Sequence, residues 1–276
     1  MNVNVLRFYN KTPFNQYNSI KKECLSTQFI NPANLIPILY EINYDNKILE
    51  VGSGAGWLIN GLAYHKNAFG LGVDFNKKAV KISNRVSNKL NLNTKFVEED
   101  IFNFAKKSET SFKTIISFGA LHHTEDCHKA IKLIVENLLE KDGVLILGLY
   151  HSYERRPFLD YFNHLKQTGL SNKELFNHYK KLKHKNFISK DKFLIKSIFN
   201  DQVLHPHETQ HSFIEIKELL ENLDCTVIKT SINDYKDIVG DEDWNSIENI
   251  ILKNAQVDID NFIFNPGLFT IKAVKN

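Results

Sequence analysis

Three glycines at alternate positions follow directly on a short apolar run, in Glu50-Val51-Gly52-Ser53-Gly54-Ala55-Gly56. Glycine has no Cβ, so such a loop turns tightly and lets a ligand approach the backbone. The spacing is G-x-G-x-G, with Glu50 two residues ahead of the first glycine, and not the G-x-G-x-x-G of dinucleotide-binding loops. Two carboxylates lie downstream, each after a further apolar run. Asp74 ends Phe69–Asp74, with Phe75 next to it, and is placed to accept hydrogen bonds from ribose hydroxyls. Its alternative role is to cap the helix that follows. Asp100-Ile101 comes after Thr94–Val97 and is placed to meet an adenine, the acid accepting from the exocyclic amine and Ile101 packing on the ring. Its alternative is a surface turn. Phe118 ends the run Thr114–Phe118 at the same level.

A second set of residues could serve a reaction at that site. His122 and His123 follow the Thr114–Phe118 run, and an imidazole has the ordinary pKa of a general base; packing or loop hydrogen bonding is the alternative. Tyr150-His151-Ser152-Tyr153-Glu154-Arg155-Arg156 follows the next run, and paired arginines beside aromatics grip carboxylates or phosphates. Surface pairing with Glu154 or Asp160 is the other reading. His205-Pro206-His207-Glu208-Thr209-Gln210-His211 is the most unusual stretch. A helix there would put His207 and His211 on one face, but Glu208 does not complete an H-E-x-x-H zinc pattern. The expectation is a substrate-facing loop without a metal, against a plain helix-capping loop. Phe8, Tyr9, Phe14 and Tyr17 form an N-terminal aromatic group that is either a lid or a docked helix face.

The elements that must carry these residues alternate. Lys47–Val51, Phe69–Asp74, Thr94–Val97, Thr114–Phe118 and Val144–Tyr150 read as strands, separated by helices over Trp57–His65, Lys77–Leu90 and about Cys127–Leu139. This alternation predicts a parallel sheet with helices on both faces. In the second helix Val80, Ile82 and Val86 are the expected core contacts. Residues 151–211 hold no convincing strand and read as a mostly helical insertion. Ser212 with Glu215 three residues on is a capping-box start for a helix to Leu223. Cys225–Lys229 and Leu268–Val274, the latter after a Pro266-Gly267 turn, are the sixth and seventh strands. The 276 residues, with 42% apolar content, suffice for one α/β domain carrying an insertion. The net charge of +3 does not point to nucleic acid, and the basic run Lys180, Lys181, Lys183, Lys185 reads as a solvated helix face. Cys24, Cys127 and Cys225 form no disulfide framework or metal pair, which fits a reducing compartment. With no signal peptide or membrane span read, the expectation is a cytoplasmic protein.

In order, ILEVGSGAG, GVDFNKKAV, VEEDIF, SFGALHHTED and KDGVLILGLYH resemble the successive motifs of class I S-adenosylmethionine-dependent methyltransferases, over residues 47–151. DCHKAI, RRPFLDYF and DQVLHPHETQHSF resemble an uncharacterised bacterial branch of them. The resemblance implies a Rossmann-like, seven-stranded, mostly parallel sheet with an antiparallel last strand. The expected division is a cap over 1–45, a cofactor-binding core over 46–150, a helical lid over 151–211 and completion of the core by 212–276. S-adenosyl-L-methionine is the implied cofactor. Gly52 and Gly54 would line its methionyl part, Asp74 its ribose and Asp100 its adenine, within a wall of Glu50, Ser53, Gly56, Phe75, Ile101 and Phe118. His122, His123, His207 and His211 are the candidate catalytic groups, expected to converge with His151 beside the transferable methyl. Tyr9, Tyr17, Tyr150, His151, Arg155 and Arg156 are the candidate acceptor-binding groups, the arginines at the rim. The expected acceptor is a small molecule, methylated at oxygen or nitrogen. An RNA acceptor is disfavoured by the lack of an N/D-P-P-Y-type motif, and a cofactor-binding module without activity is the remaining alternative.

Overall fold

A computed structural model describes residues 3–11, 14, 17–184, 191–240 and 242–276. The strands are β1 (Ile48–Val51), β2 (Gly70–Asp74), β3 (Thr94–Glu98), β4 (Phe112–Phe118), β5 (Leu139–Tyr150), β6 (Lys183–His184), β7 (Cys225–Thr230), β8 (Ile263–Phe264) and β9 (Leu268–Lys275). Seven of them form one sheet in the order β3-β2-β1-β4-β5-β9-β7. The first five pair in parallel. The last strand, β9, lies antiparallel between β5 and β7, as the resemblance implies. β6 and β8 form a separate two-stranded pair.

The central strands are covered on both sides, so their runs are continuously apolar and not alternating. All four residues of β1 are buried. The helices before and between the strands are α1 (Val3–Lys11), α2 (Ile20–Phe29), α3 (Pro32–Leu35), α4 (Trp57–Lys66), α5 (Lys77–Leu90), α6 (Ile101–Lys107) and α7 (Cys127–Asn137). One sheet face packs Leu58, Ile59 and Leu62 of α4 and Val80 of α5 against Ile48, Ile116 and Ile146. The other packs Ile131 and Ile134 of α7 against Leu49, Ile115 and Leu145. Each such side chain contributes about 1.5–3 kcal/mol on burial. Asn76 starts α5 by accepting from the N–H groups of Lys78 and Ala79. Of the core contacts expected on α5, Val80 and Val86 are buried, whereas Ile82 is half-buried.

Beyond β5 come α8 (Ser152–Gln167), α9 (Asn172–Tyr179), α10 (Lys192–Leu204), α11 (Phe213–Glu221) and α12 (Trp244–Asp260). The described residues of the insertion are mostly helical, as expected, and have a core of their own in Phe158, Phe162, Leu175 and Phe199, joined by Ile259 of α12 and by Phe264. The capping box at Ser212 and Glu215 forms, with both reciprocal bonds present. α12 is absent from the sequence reading. It packs Trp244 against Phe213, ring centroids 4.3 Å apart, at one end and joins the insertion core at the other. Its apolar positions are broken by Asn, Asp and Glu, one of which, Glu248, is fully buried.

Candidate cofactor and acceptor site

The glycine loop leaves β1 at the carboxyl end of the sheet and folds back on β2. The N–H groups of Gly52 and Ser53 both donate to the Val73 carbonyl, at 2.8 and 3.2 Å. Gly52 has φ +72°, and a Cβ there would lie 2.1 Å from that of Ala120, so no larger residue fits. Gly54 has φ +51°, but a Cβ on it would meet nothing within 4 Å. Its N–H donates to Asp74 Oδ2 at 2.8 Å, and Asn76 N–H donates to Asp74 Oδ1 at 2.7 Å. Each carboxylate oxygen of Asp74 therefore keeps acceptor capacity. Glu50 lies beneath the loop and accepts from Ile59 N–H at 3.2 Å. Burial, reinforced by the nearby Asp74 charge, pushes the Glu50 carboxyl up to about 8. Burial also raises Asp74 to about 6, against the two backbone bonds that favour its anion.

These residues line one cavity. Glu50, Gly52, Ser53, Gly54, Asp74 and Phe75 line it, together with Asp100, Ile101, Phe118 and His123. Val5, Tyr9 and Phe14, from the N-terminal segment, are also part of the lining. Ser53 Oγ and Asn76 Nδ2 are buried there without a hydrogen-bond partner. Asp100 also caps α6 by accepting from Phe102 N–H at 3.0 Å. Gly56 is not part of the lining. It starts α4 at φ +79°, where a Cβ would crowd Ser83, Asn60 and Phe96, so its lack of a side chain serves helix packing.

The expected acceptor groups separate on inspection. His123 lines the cavity, and His122 is buried behind it, ring centroids 4.3 Å apart. Burial pulls the His123 ring down to about 4 and holds His122 well below its ordinary value. Both rings are therefore neutral at physiological pH, unlike an exposed imidazole poised near 7. Tyr150 is buried, its ring stacked on His122 at 3.9 Å, outside the cavity. Tyr17 is outside it too, donating its backbone N–H to Glu23 Oε1 at 2.6 Å.

The convergence of five histidines on the cavity does not occur. His151 caps α8 and binds buried Glu248 at 2.8 Å, tying α8 to α12. His207 places Nε2 2.9 Å from the Thr124 carbonyl. His211 lies beside His151 in an isolated bridge and is held by Thr209 and Glu215, both at 2.8 Å. The residues from His205 to His211 are not helical, so the i,i+4 argument does not apply to them. Arg155 is not at a rim. It is fully buried, with Glu208 at 2.9 and 2.8 Å, Gln202 Oε1 at 2.7 Å and the Tyr150 ring at 3.7 Å. Arg156 is exposed, over Tyr153.

Two residues outside the expected catalytic and binding sets stand beside the cavity. Asp201, at the end of α10, accepts from the Tyr9 hydroxyl at 2.6 Å. His205 lies over His123, ring centroids 3.8 Å apart, and burial lowers its ring to about 3. The only local signal is the run Asp201-Gln202-Val203-Leu204-His205, which puts Asp201 and His205 one helical turn apart.

The profile of the methyltransferase-domain family matches residues 42–233, over two thirds of the chain. The chain belongs to this family and is a class I, S-adenosylmethionine-dependent methyltransferase. Among solved structures it is similar to the magnesium protoporphyrin IX methyltransferase of Synechocystis PCC 6803 with bound SAH. There the identity is 14%, the TM-score 0.53, and 98% of this chain and 92% of that one are covered. It is also similar to PKMT2 of Rickettsia typhi in complex with AdoHcy, at 13% identity and TM-score 0.58, over 96% of this chain and 54% of that one. At such identities the likeness concerns the fold. No curated protein matches by sequence.

Proposed function

We propose that the chain transfers a methyl group from S-adenosylmethionine to an oxygen or nitrogen of a small molecule, inside the cavity described above. One observation carries the reading: the glycine loop and Asp74, suited to the donor, and His123 and Tyr9, suited to an acceptor, line the same space. The spare acceptor capacity of Asp74 suits the two ribose hydroxyls. Gly54, with open space where a Cβ would be, suits close approach of the methionyl part. Asp100, Ile101 and Phe75 suit the adenine. Methyl transfer is an in-line displacement, so the chain's task is to align the acceptor, exclude water and take up a proton where there is one. Helix α1 serves the exclusion, since Tyr9 sits against Phe75, His123 and His205. Among the described residues of the 151–211 insertion, α10 serves the lid expected there, because its Asp201 returns to bind Tyr9. Among the described residues no helix is long and apolar enough to cross a membrane.

The test is methyl-labelled S-adenosylmethionine offered with phenols, alcohols, acids, sugars, amines and total RNA. The expected outcome is label in a small molecule. Label in RNA alone would replace this reading with nucleic-acid methylation.

A further inference from the structure

Behind Tyr9 a second polar set is left incomplete. A ring nitrogen of His123, a ring nitrogen of His205 and a carboxylate oxygen of Asp201 lie within 4.8 Å of one another. The Nε2 atoms of His123 and His205 are both buried and have no hydrogen-bond partner. Buried polar groups without partners are rare and costly, at about 1–3 kcal/mol each. Two of them side by side, next to a cavity, mark a place where a polar ligand atom belongs.

The other ring nitrogens fix what that atom must be. His123 Nδ1 lies 3.0 Å from the His207 carbonyl, which can only accept, so Nδ1 carries the proton and Nε2 is a lone pair. His205 Nδ1 accepts from His207 N–H at 3.1 Å, so in the neutral ring Nε2 carries the proton and is a donor. Burial keeps both rings neutral, His123 lowered to about 4 and His205 to about 3. The spacing alone would also admit a cation. A cation, however, needs lone pairs from both rings, and the His205 tautomer offers none at Nε2. One acceptor beside one donor is the complement of a hydroxyl group, which gives one proton and receives one. An aliphatic amine is an ammonium at neutral pH and has no lone pair for the His205 donor, and a carboxylate has no proton for the His123 acceptor. A neutral aromatic amine matches both groups, and the methylated product distinguishes it from a hydroxyl.

We propose that the methyl-accepting atom is a hydroxyl oxygen, held between His123 Nε2, which takes its proton, and His205 Nε2–H, which donates to it. This deepens the reading of a small-molecule methyltransferase and rests on it. In the step, the oxygen forms a bond to the methyl carbon, the carbon–sulfur bond breaks with its pair left on sulfur, and the hydroxyl proton passes to His123. The products are a methyl ether, the neutral thioether and an imidazolium. The last is stabilised by the His207 carbonyl on Nδ1–H and by the negative charge of Glu208. His205 is then a specificity-determining residue. Phe8 and Tyr9 cover its ring, centroids 5.0 and 5.3 Å away, so α1 must lift for the acceptor to enter.

Three measurements on the full chain test the proposal. S-adenosylmethionine titration comes first, since absence of binding refutes the methyltransferase reading itself and not the choice of acceptor atom. Histidine 15N spectra of the complex with S-adenosylhomocysteine should then show His123 protonated at Nδ1 and His205 at Nε2, assigned with His123→Gln and His205→Gln. Turnover on matched alcohols, phenols, amines and thiols should give O-methyl products. His123→Gln should lower kcat about 100-fold, and His205→Leu should raise KM for the acceptor about tenfold while cofactor affinity stays within twofold. Four results would each overturn the proposal: the opposite tautomer in either ring, an N- or S-methyl product, His205→Leu with wild-type KM, or stoichiometric Zn2+ lost in His205→Gln.

Discussion

Two carboxyl groups held partly protonated by burial are the most consequential residues of the cavity. Glu50 is raised to about 8 and Asp74 to about 6. A group whose folded pKa is raised stabilises the fold below its unfolded value, and that contribution is lost as pH rises through the folded value. Without ligand, these two groups therefore contribute less stability from about pH 4 upward, through 6 for Asp74 and 8 for Glu50, while the buried histidines, whose values are lowered, act in the opposite sense below about 6.5. A sulfonium ligand with an ammonium group reverses this, because positive charge near the pair favours the anions and draws both values down. Cofactor binding near pH 7 is thus expected to release protons, and affinity to rise between about pH 5.5 and 8. Calorimetry in buffers of different ionisation enthalpy measures the release, and Glu50→Gln should remove most of it. Binding enthalpies that do not vary with the buffer would contradict the argument.

The elements around the site are tied by contacts that no local pattern encodes. Arg155 on α8 holds Gln202 on α10, Glu208 on the following loop and the carbonyl of Pro266 before β9. Breaking a buried pair by removing one partner strands the other charge. Arg155→Ala should therefore lower unfolding stability by about 3–5 kcal/mol, whereas exposed Arg156→Ala should change it by no more than about 0.5 kcal/mol. Urea denaturation of the two variants measures the contrast, and equal effects would show that the arginine network does not hold the insertion in place. The sequence announces the glycine loop because tight turns and positive φ are local requirements, and Asp74 because it ends an apolar run. It does not announce which of two adjacent arginines is buried, since Glu208 lies fifty-three residues away. The histidines divide for the same reason. Topology brings His123 and His205 together at the mouth of the sheet, but side-chain partners engage His151 and His211 elsewhere, and the His207 ring is held by the Thr124 carbonyl. α12 escapes notice because its stability comes from packing on two separate cores and not from a clean apolar stripe.

At the scale of the whole molecule, a doubly wound sheet opens its ligand site at the carboxyl ends of its strands. Here β1, β2 and β4 bring the glycine loop, Asp74 and the Phe118–His123 turn to one mouth. The N-terminal helix α1 and α10 of the insertion are joined beside it by Tyr9 and Asp201. The central claim is that this cavity holds S-adenosylmethionine through Asp74 and the glycine loop. Isothermal titration of S-adenosylhomocysteine into the wild-type chain and into folded Asp74→Ala tests it most directly. Loss of a charged hydrogen-bonding group is worth about 1.5–3 kcal/mol, so the expected result is one site per chain, weakened on the order of 10- to 150-fold by the substitution. A folded wild-type chain that does not bind, or an Asp74→Ala variant that binds as tightly as wild type, would contradict the account.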